Sequence, residues 1–421
     1  MSGLESMQQP GQKRPAKLFH KKSRTGCQRC RSRRVKCDEA KPICSNCTRL
    51  QLNCVYDRIK PADQPTRFVS VDHPRSLPAG KESLEPENVV DPPESEARRK
   101  LELSLFYHYF SETGPSISVD EASHPFWVDM VSQLAFKCNA LLYSLLLLSA
   151  LHRTKKSDYT DKESLHHSST YLSMTLRELN REIEHLSAGN VDAVCLTASL
   201  LRIYTFVRFQ DRDLEPYTPP TSWLRMTGTS SAVFRQSAEI TSMNPSSVGM
   251  QMVDLVTHLL DEEAARLHTK GLIHLMRRQD AHELEEPWDV DVQDAYLSTL
   301  NYIGAIWRAM QDRQPPGSVV RRLIVFPLFV DNRFVDMVDE KRPRALVIMA
   351  HYFALLAMLR GFWWVGDAGP REVRAIAKQL PLAWQGALVW PLEVLKDQIV
   401  FTHDMEVNKL SEYAAGLTLQ I

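Results

Sequence analysis

The chain has 421 residues, of which 43% are apolar, and its 51 Lys and Arg side chains balance 51 Asp and Glu. The net charge of zero conceals a basic head on an acidic body, because residues 1–60 hold 15 basic and four acidic side chains whereas the remainder holds 36 and 47. The strongest apolar run, Cys138 to Leu151, has 14 residues, but a membrane-spanning helix needs about 20, so it predicts a buried core helix and excludes a membrane segment.

The first stretch, residues 1–24, is rich in Gln, Pro, Gly, Ser and Lys and predicts a disordered tail. It has no apolar core of the kind that a secretory signal needs, which favours a reducing compartment. Its basic clusters resemble a nuclear import signal, and a flexible arm that contacts phosphates is the alternative. These clusters are Lys13-Arg14, Lys17 and Lys21 to Arg24.

Next come six cysteines that form two copies of one unit. In each copy two residues separate the first two cysteines and six separate the second from the third, and six residues also join the copies. Thiolates at this density are typical of structural zinc, which takes four sulfur or nitrogen ligands. A single four-cysteine site with two spare thiols and a disulfide scaffold are the alternatives. The candidate ligands are Cys27, Cys30, Cys37, Cys44, Cys47 and Cys54.

Two tetrahedral ions need eight ligand positions, so six sulfurs suffice only if two of them bridge both metals. The pseudo-symmetry of the repeat indicates the first cysteine of each copy, Cys27 and Cys44, as the bridges. A segment of 28 residues with so few apolar side chains cannot form a sizeable core, so metal binding should supply most of its folding free energy. We therefore predict two Zn²⁺ ions per chain in a cluster domain over residues 25–56.

The cysteine segment, CQRCRSRRVKCDEAKPICSNCTRLQLNC, closely resembles the fungal binuclear zinc cluster, a DNA-binding domain of transcription factors. The resemblance implies that a first helix enters the major groove of double-stranded DNA and that adjacent basic residues near its end read a CGG triplet. By position these reading residues are Arg33 and Arg34. Arg31 and Lys36 match places that contact phosphates, so they are expected to position the domain without reading sequence.

A proline-rich linker is predicted over residues 57–96. Several members of the resembled family dimerise through a coiled coil close behind the cluster, but no heptad run survives this spacing of prolines. A homodimer must therefore use the C-terminal region, and a monomer that reads one triplet is the alternative. The prolines are Pro61, Pro65, Pro74, Pro78, Pro86, Pro92 and Pro93.

From about residue 97 to 421 the apolar spacing is helical and predicts one large all-α domain or two packed helical layers. A first helix should end at Gly114-Pro115, and Thr160 with Glu163 indicates a capping box. A strand is considered only between Val319 and Val330. The expected helices span the run 138–151, residues 160–186, 191–209, 249–269, 289–311, 344–364, 370–383, 388–402 and 404–417.

The body shows no recognisable catalytic pattern: HExxH, GxSxG, a phosphate-binding glycine loop and a dinucleotide fingerprint are all missing from the sequence. His166-His167 and His282-Glu283 come nearest to ligand clusters, and surface side chains are the simpler interpretation. The stretch LFYHYFSETGPSIS and the helices after it resemble the fungal-specific transcription factor domain, which implies a regulatory body and not an enzyme.

Together these patterns predict a small two-zinc, six-cysteine cluster domain, a Pro-rich linker and a large all-α domain. The resemblance implies a nuclear, sequence-specific regulator of genes transcribed by RNA polymerase II, with DNA and the transcription machinery as partners. A zinc-stabilised protein-interaction module on a helical scaffold is the alternative. The arginines between Cys30 and Cys37 argue against it.

Overall fold

The chain divides into two compact units, residues 1–67 and 68–421, in a computed structural model. The predicted tail, most of the linker and the helices expected at 249–269 and 404–417 lie outside the residues that the structure describes. The domain boundaries drawn from the sequence therefore stay predictions. The described residues are 27, 30, 33, 35, 37, 38, 44–50, 93–225, 236, 237, 239, 240, 247 and 271–396.

Helices dominate the described residues, and none of these residues lies in a strand, which confirms the all-α body. In the first unit, α1 spans Ser45–Arg49. In the second unit the first half contains α2 Glu96–His108, α3 Gly114–Ile117, α4 Val131–Ala135, α5 Asn139–Lys156, α6 Lys162–Glu184 and α7 Val191–Gln210. Its second half contains α8 Ala281–Leu284, α9 Val290–Gln311, α10 Pro316–Phe329, α11 Asn332–Asp339, α12 Pro343–Leu356, α13 Ala368–Gln379 and α14 Val389–Val394.

The predicted core helix is α5, which contacts α2, α6 and α7. Four consecutive leucines, Leu145 to Leu148, are all buried. Since consecutive residues point to different sides of a helix, these leucines pack against more than one neighbouring helix. Basic residues occupy its last turn, where they complement the negative end of the helix dipole. One of them, Lys155, binds Asp211 with an Nζ–Oδ1 distance of 2.8 Å just after α7. The apolar run and this ion pair fix the three-helix layer α5–α7.

The second half packs around α12, in which every residue from Arg344 to Leu356 is buried. This helix contacts α9, α11, α13 and α14, so neighbours cover it on all sides. An apolar stripe on one face, as in a surface helix, would leave polar side chains against these neighbours. No single described helix is long and apolar enough to cross a membrane, and only the bent pair Asn332–Asp339 and Pro343–Leu359 reaches that length and composition jointly.

The strand considered between Val319 and Val330 is wrong, because this stretch forms α10. Its continuous apolar run fits a buried helix as well as a buried strand, and period alone cannot separate them. Pro327 lies inside α10 and has no N–H for the carbonyl of Leu323 four residues earlier. The hydroxyl of Tyr352 on α12 donates to that carbonyl at 3.0 Å. Tertiary packing therefore supplies the hydrogen bond that the helix lacks.

Several predicted helix ends also differ from the structure: the helix expected at 344–364 ends at Leu356, and that expected at 370–383 ends at Gln379. The first helical run does not stop at Gly114-Pro115, because a π-helical turn, Tyr109–Thr113, connects α2 to α3. Proline is tolerated there since it occupies the first turn of α3, where its N–H would have no intrahelical acceptor. The N-cap of α6 is Asp161 and not Thr160; its Oδ1 accepts from the Ser164 N–H at 2.9 Å.

The contact between α13 and α12 depends on Gly369. A Cβ atom at this position would lie 2.6 Å from both the Ala357 nitrogen and the Phe353 oxygen, which are backbone atoms. We expect Gly369→Ala to lower the free energy of unfolding by about 1–3 kcal/mol, because backbone cannot move aside as a flexible side chain can. Urea denaturation of the zinc-loaded chain measures this.

Gly386→Ala is the matched control, since a Cβ atom there meets nothing within 4 Å. We expect this variant to leave the free energy of unfolding unchanged or to raise it by about 0.5 kcal/mol, because alanine reduces the conformational entropy of the unfolded chain. Equal losses in the two variants would contradict the assigned contact.

Candidate metal centre and nucleic-acid interface

Five of the six candidate ligands lie in the described residues, and their side chains are buried together. The Sγ atoms of Cys27 and Cys44 are 3.7 Å apart, and Cys27–Cys47 and Cys30–Cys44 are each 3.6 Å apart. Two sulfurs on one tetrahedral zinc, each at 2.3 Å from the metal, would be separated by about 3.8 Å. The thiols therefore already have the spacing of ligands to a common ion.

The arrangement is not one isolated four-cysteine set. Cys27, Cys30, Cys44 and Cys47 place their sulfurs within 4.8 Å of one another, and Cys37 lies equally close to Cys44. The Cys30 thiol also contacts Cys37, whereas Cys44 contacts Cys47 as well as Cys27 and Cys30. Cys27 contacts two sulfurs of the second copy, Cys44 and Cys47, and Cys44 contacts two sulfurs of the first, Cys27 and Cys30. Cys54 lies outside the described residues.

The sulfurs also organise the local backbone. The Cys30 N–H donates to Cys27 Sγ at 3.4 Å, and the Cys27 N–H donates to Cys37 Sγ at 3.5 Å. Cys44 is the N-cap of α1, and its carbonyl accepts from the Thr48 N–H at 2.9 Å. The two-residue spacer between Cys44 and Cys47 therefore becomes the first turn of α1, which points both sulfurs to the same side.

An additional residue, Asp38, supports this geometry and was missed from the sequence. Its Oδ2 accepts from the Ser45 N–H at 3.1 Å, and the Ser45 hydroxyl also donates to it. The carboxylate therefore ties the residue after Cys37 to the first turn of α1. The sequence offers one signal for this contact: an acidic residue follows the third cysteine, and Ser45 follows the fourth. A carboxylate such as that of Asp38 can accept from the free N–H groups at the start of a helix.

Ionisation is distributed unevenly over the thiols. Burial, followed by contacts with Cys27, Cys44 and Cys37, raises the pKa of Cys30 well above its usual range. For Cys44, burial acts in the same upward direction, but hydrogen bonds from the Cys47 backbone and the thiols of Cys47, Cys30 and Cys27 outweigh it and lower the pKa. The two thiols are thus shifted in opposite directions. A divalent cation would stabilise several thiolates at once.

The residues fit zinc on both geometry and burial. The buried cluster of the first unit consists of these five cysteines alone among the described residues, while Val35 and Leu50 remain 42% and 41% exposed. A core made of sulfur atoms has little apolar area to bury, so metal–thiolate bonds must replace the hydrophobic term. When bound, zinc would hold the sulfurs as thiolates and join the two cysteine repeats.

Among the basic residues proposed to contact DNA, the structure describes Arg33, whose side chain is exposed in a turn. Arg31, Arg34 and Lys36 lie outside the described residues. Arg49, in the last turn of α1, is exposed as well. The described part of the cluster surface is therefore open to a polyanion.

The histidine pairs named above and the two cysteines of the body, Cys138 and Cys195, have structural explanations. The His166 and His167 rings are tilted and their centroids are 5.8 Å apart. Cys138 and Cys195 are buried, and burial raises the pKa of both thiols, that of Cys195 to about 11. Such thiols are inert core residues. Glu283 accepts from the Gln279 N–H at 2.7 Å and so stabilises the start of α8.

The chain matches two known families over separate ranges. Residues 25–63 match the Fungal Zn(2)-Cys(6) binuclear cluster domain, and residues 104–217 match the Fungal specific transcription factor domain. The chain is 33% identical to the Zn(2)-C6 fungal-type transcription factor afumD of Aspergillus fumigatus over 80% of its own length and 86% of that relative.

Two further relatives match this chain over very different lengths. A Zn(2)-C6 fungal-type transcription factor of Gibberella zeae is 26% identical over 95% of this chain and 91% of its own length. The sterol uptake control protein 2 of Candida albicans is 60% identical, but only over 9% of this chain and 5% of that protein.

The Asp38 contact can be tested through the rate at which a chromogenic chelator removes zinc from the loaded chain. Asp38→Ala removes the acceptor for the Ser45 N–H. We expect the free energy of folding of the zinc-loaded cluster to become less favourable by about 1 kcal/mol. Zinc should then leave the cluster about fivefold faster. Asp38→Asn keeps an acceptor oxygen and should lie close to the unmodified chain. Release from Asp38→Ala at the unmodified rate would contradict the supporting role.

Proposed function

Because the chain belongs to the Zn(2)-C6 fungal-type transcription factors and is thus a zinc-binding, DNA-binding transcription regulator, we propose that its cluster holds two zinc ions and reads a CGG-like triplet. The observation that carries this proposal is the buried set of cysteine sulfurs at 3.6–3.7 Å, next to an exposed arginine in the basic head. We further propose that the protein acts in the nucleus on genes transcribed by RNA polymerase II.

We propose that Cys27 and Cys44 bridge the two ions, and the contacts of each with two sulfurs of the other copy support this. One ion would take Cys27, Cys30, Cys37 and Cys44, which are the thiols that contact Cys30 together with Cys30 itself. The other would take Cys27, Cys44 and Cys47 and, by the repeat, Cys54. Each ion then has four thiolates, and the six sulfurs carry a net formal charge of about −2 with two Zn²⁺.

The basic head supplies the attraction to DNA. Its 15 basic side chains exceed four acidic ones by far more than the charge that two zinc ions with six thiolates would remove. In this proposal Arg33 and Arg34 pair with guanine edges in the major groove, since a guanidinium can donate two parallel hydrogen bonds to O6 and N7. Arg31 and Lys36 contact phosphates and fix the register.

We propose that a homodimer, where it forms, uses the helical body. The seven prolines between residues 57 and 96 prevent a coiled coil directly behind the cluster. A monomer on a single triplet is the other arrangement. The spacing of triplets in bound DNA separates the two, because a symmetric dimer requires a fixed distance between half-sites.

Metal stoichiometry tests the bridging sulfurs. We expect Cys27→Ala and Cys44→Ala each to lose both ions, because each variant removes a ligand from both metals. Cys47→Ala removes a ligand from one metal only, so it should keep one ion. Native mass spectrometry of the purified full-length variants counts the zinc directly.

The matched control is Cys195→Ala, whose thiol is buried in α7 and outside the cluster, and it should keep both ions. Retention of two ions by Cys27→Ala would refute bridging. Identical losses from the Cys27 and Cys47 variants would refute it as well.

DNA reading is tested by selecting bound sequences from a random pool with the zinc-loaded full-length protein. We expect enrichment of a CGG-like triplet, and a second triplet at fixed distance if the body dimerises. No enrichment with two ions bound would overturn the reading of DNA and favour the protein-interaction module.

Two variants on the selected site then separate reading from positioning. Arg34→Ala should weaken specific binding by about 1–3 kcal/mol and change non-specific binding less. Lys36→Ala should weaken both alike and reduce the salt dependence. Equal specific and non-specific losses in Arg34→Ala would contradict the base contact.

A further inference from the structure

An exposed row of apolar side chains lies along α2, the first long helix of the body. Leu103 and Tyr107 are 67% and 72% exposed, and Phe110 in the π-helical turn that follows is 47% exposed. Side chains three or four residues apart are neighbours on one side of a helix, so these three form a continuous row. A contiguous apolar surface, unlike a single exposed leucine, is typical of an interaction site.

A fourth side chain widens this row. The Phe106 ring, which is partly buried against the core, lies beside the row with its centroid 5.0 Å from that of Phe136. Phe136, in the turn after α4, is itself 72% exposed. The α2 patch, as we call this surface, consists of Leu103, Tyr107, Phe110 and Phe136.

The fold does not need the α2 patch in order to hold α2. The other side of the helical run provides Leu105 and Tyr109, which are fully buried, and α2 packs on α5. The Tyr109 hydroxyl also donates to the Trp127 carbonyl at 3.1 Å. The inward residues therefore attach α2 to the body, and the outward residues remain available for a second surface.

The α2 patch is large enough to form the centre of an interface. An aromatic side chain buries about 150–250 Å², so the three aromatic members at exposures of 47–72% leave about 300–500 Å² of apolar surface uncovered. Stable interfaces bury about 600–1,000 Å² on each partner. With Leu103 and a polar rim, the patch reaches the lower end of that range.

The charges that flank the row do not oppose a second copy of the chain. At one end, Lys100 Nζ lies 2.7 Å from Glu96 Oε1, and beyond Phe110 the Glu112 carboxylate pairs with Lys156. A surplus of one sign at these ends would repel an identical surface, because like charges face each other across an interface at a cost. Both ends are instead paired within one copy.

The direction of the second helix follows from Lys100. In a parallel pair about a twofold axis each residue faces itself, so two Lys100 ammonium groups would meet. In an antiparallel pair with Leu103 opposite Tyr107 of the second copy, Lys100 lies opposite Phe110 of that copy. An ammonium group over an aromatic ring is favourable. The antiparallel arrangement is therefore the better of the two.

We propose that two copies of the chain associate through the α2 patch, with their α2 helices antiparallel and Leu103 opposite Tyr107 of the second copy. The inference rests on the homodimer proposed above and names the surface that forms it. A twofold axis through the patch makes the contact self-complementary and closed at two copies. Such a particle has two cluster domains, which suits a DNA site with two triplets.

Sedimentation equilibrium of the zinc-loaded full-length chain without DNA tests the surface. We expect a reversible monomer–dimer equilibrium. Leu103→Glu should raise the dimer Kd at least about tenfold, because it places a carboxylate without a cation in an apolar interface. Leu382→Glu is the matched control: Leu382 is 90% exposed in the turn Leu382–Leu388, outside the patch, so this variant should keep the Kd of the unmodified chain.

A mixture of two variants tests the antiparallel arrangement. Leu103→Glu and Tyr107→Lys should each dimerise weakly alone, because each places a charge opposite an apolar side chain. In an equimolar mixture the new carboxylate at position 103 lies opposite the new ammonium group at position 107, and the other pair remains Leu103 with Tyr107. The mixture should associate at least about fivefold more tightly than either variant alone. A parallel pair would leave both new charges opposite apolar side chains.

A chain that stays monomeric up to about 100 µM would overturn the proposal and leave the patch to a different protein. Equal Kd values for folded Leu103→Glu and Leu382→Glu, with folding checked by thermal melts, would also overturn it. A mixture no tighter than its components would contradict the antiparallel arrangement. Because DNA is absent, failure to read a triplet leaves these results unchanged, and a monomer that still selects one triplet would overturn this inference alone.

Discussion

Packing of several thiols around a common centre is the constraint on which the first unit depends. The sulfurs of Cys27, Cys44 and Cys47 approach to 3.6–3.7 Å, although burial and neighbouring thiols oppose the ionisation of Cys30. Burial of apolar side chains cannot offset the free-energy cost of placing these thiols together, since the buried cluster among the described residues contains cysteines alone. A divalent cation would lower this free-energy cost by binding the thiolates, which would couple folding of the first unit to metal binding.

Charge is separated along the chain, and the segment that attracts DNA phosphates is the head. Residues 1–60 have 15 basic and four acidic side chains, and the remaining residues have 36 and 47. Phosphates attract the first segment and repel the second, and both effects weaken as salt is added. The net negative charge of the body gives it no electrostatic attraction to phosphates.

The sequence was sufficient for the cysteine frame and for the helical class of the body, because both depend on local spacing. α7 and α9 were predicted to within one or two residues, since their apolar runs end at clear breakers. Errors arose where tertiary contacts decide the outcome. The run from Val319 to Val330 is helical despite Pro327, and Tyr352, far along the chain, donates to the carbonyl that this proline leaves free. Asp38 was missed because its partner Ser45 becomes a neighbour only when the cluster folds.

The buried polar groups of α12 could not have been assigned from local pattern either, because their partners come from three distant segments. Arg344 reaches Glu286, whose other oxygen accepts from the Tyr296 hydroxyl, and both acidic and basic groups are buried. Such a pair seldom stabilises a core more than apolar side chains of the same volume would. The pair nevertheless holds distant segments together, because an apolar side chain at position 344 would leave the Glu286 carboxylate buried without its cation. The loss of one partner of a buried pair costs more than the intact pair contributes. The pair therefore specifies which segments meet α12, although it adds little net stability.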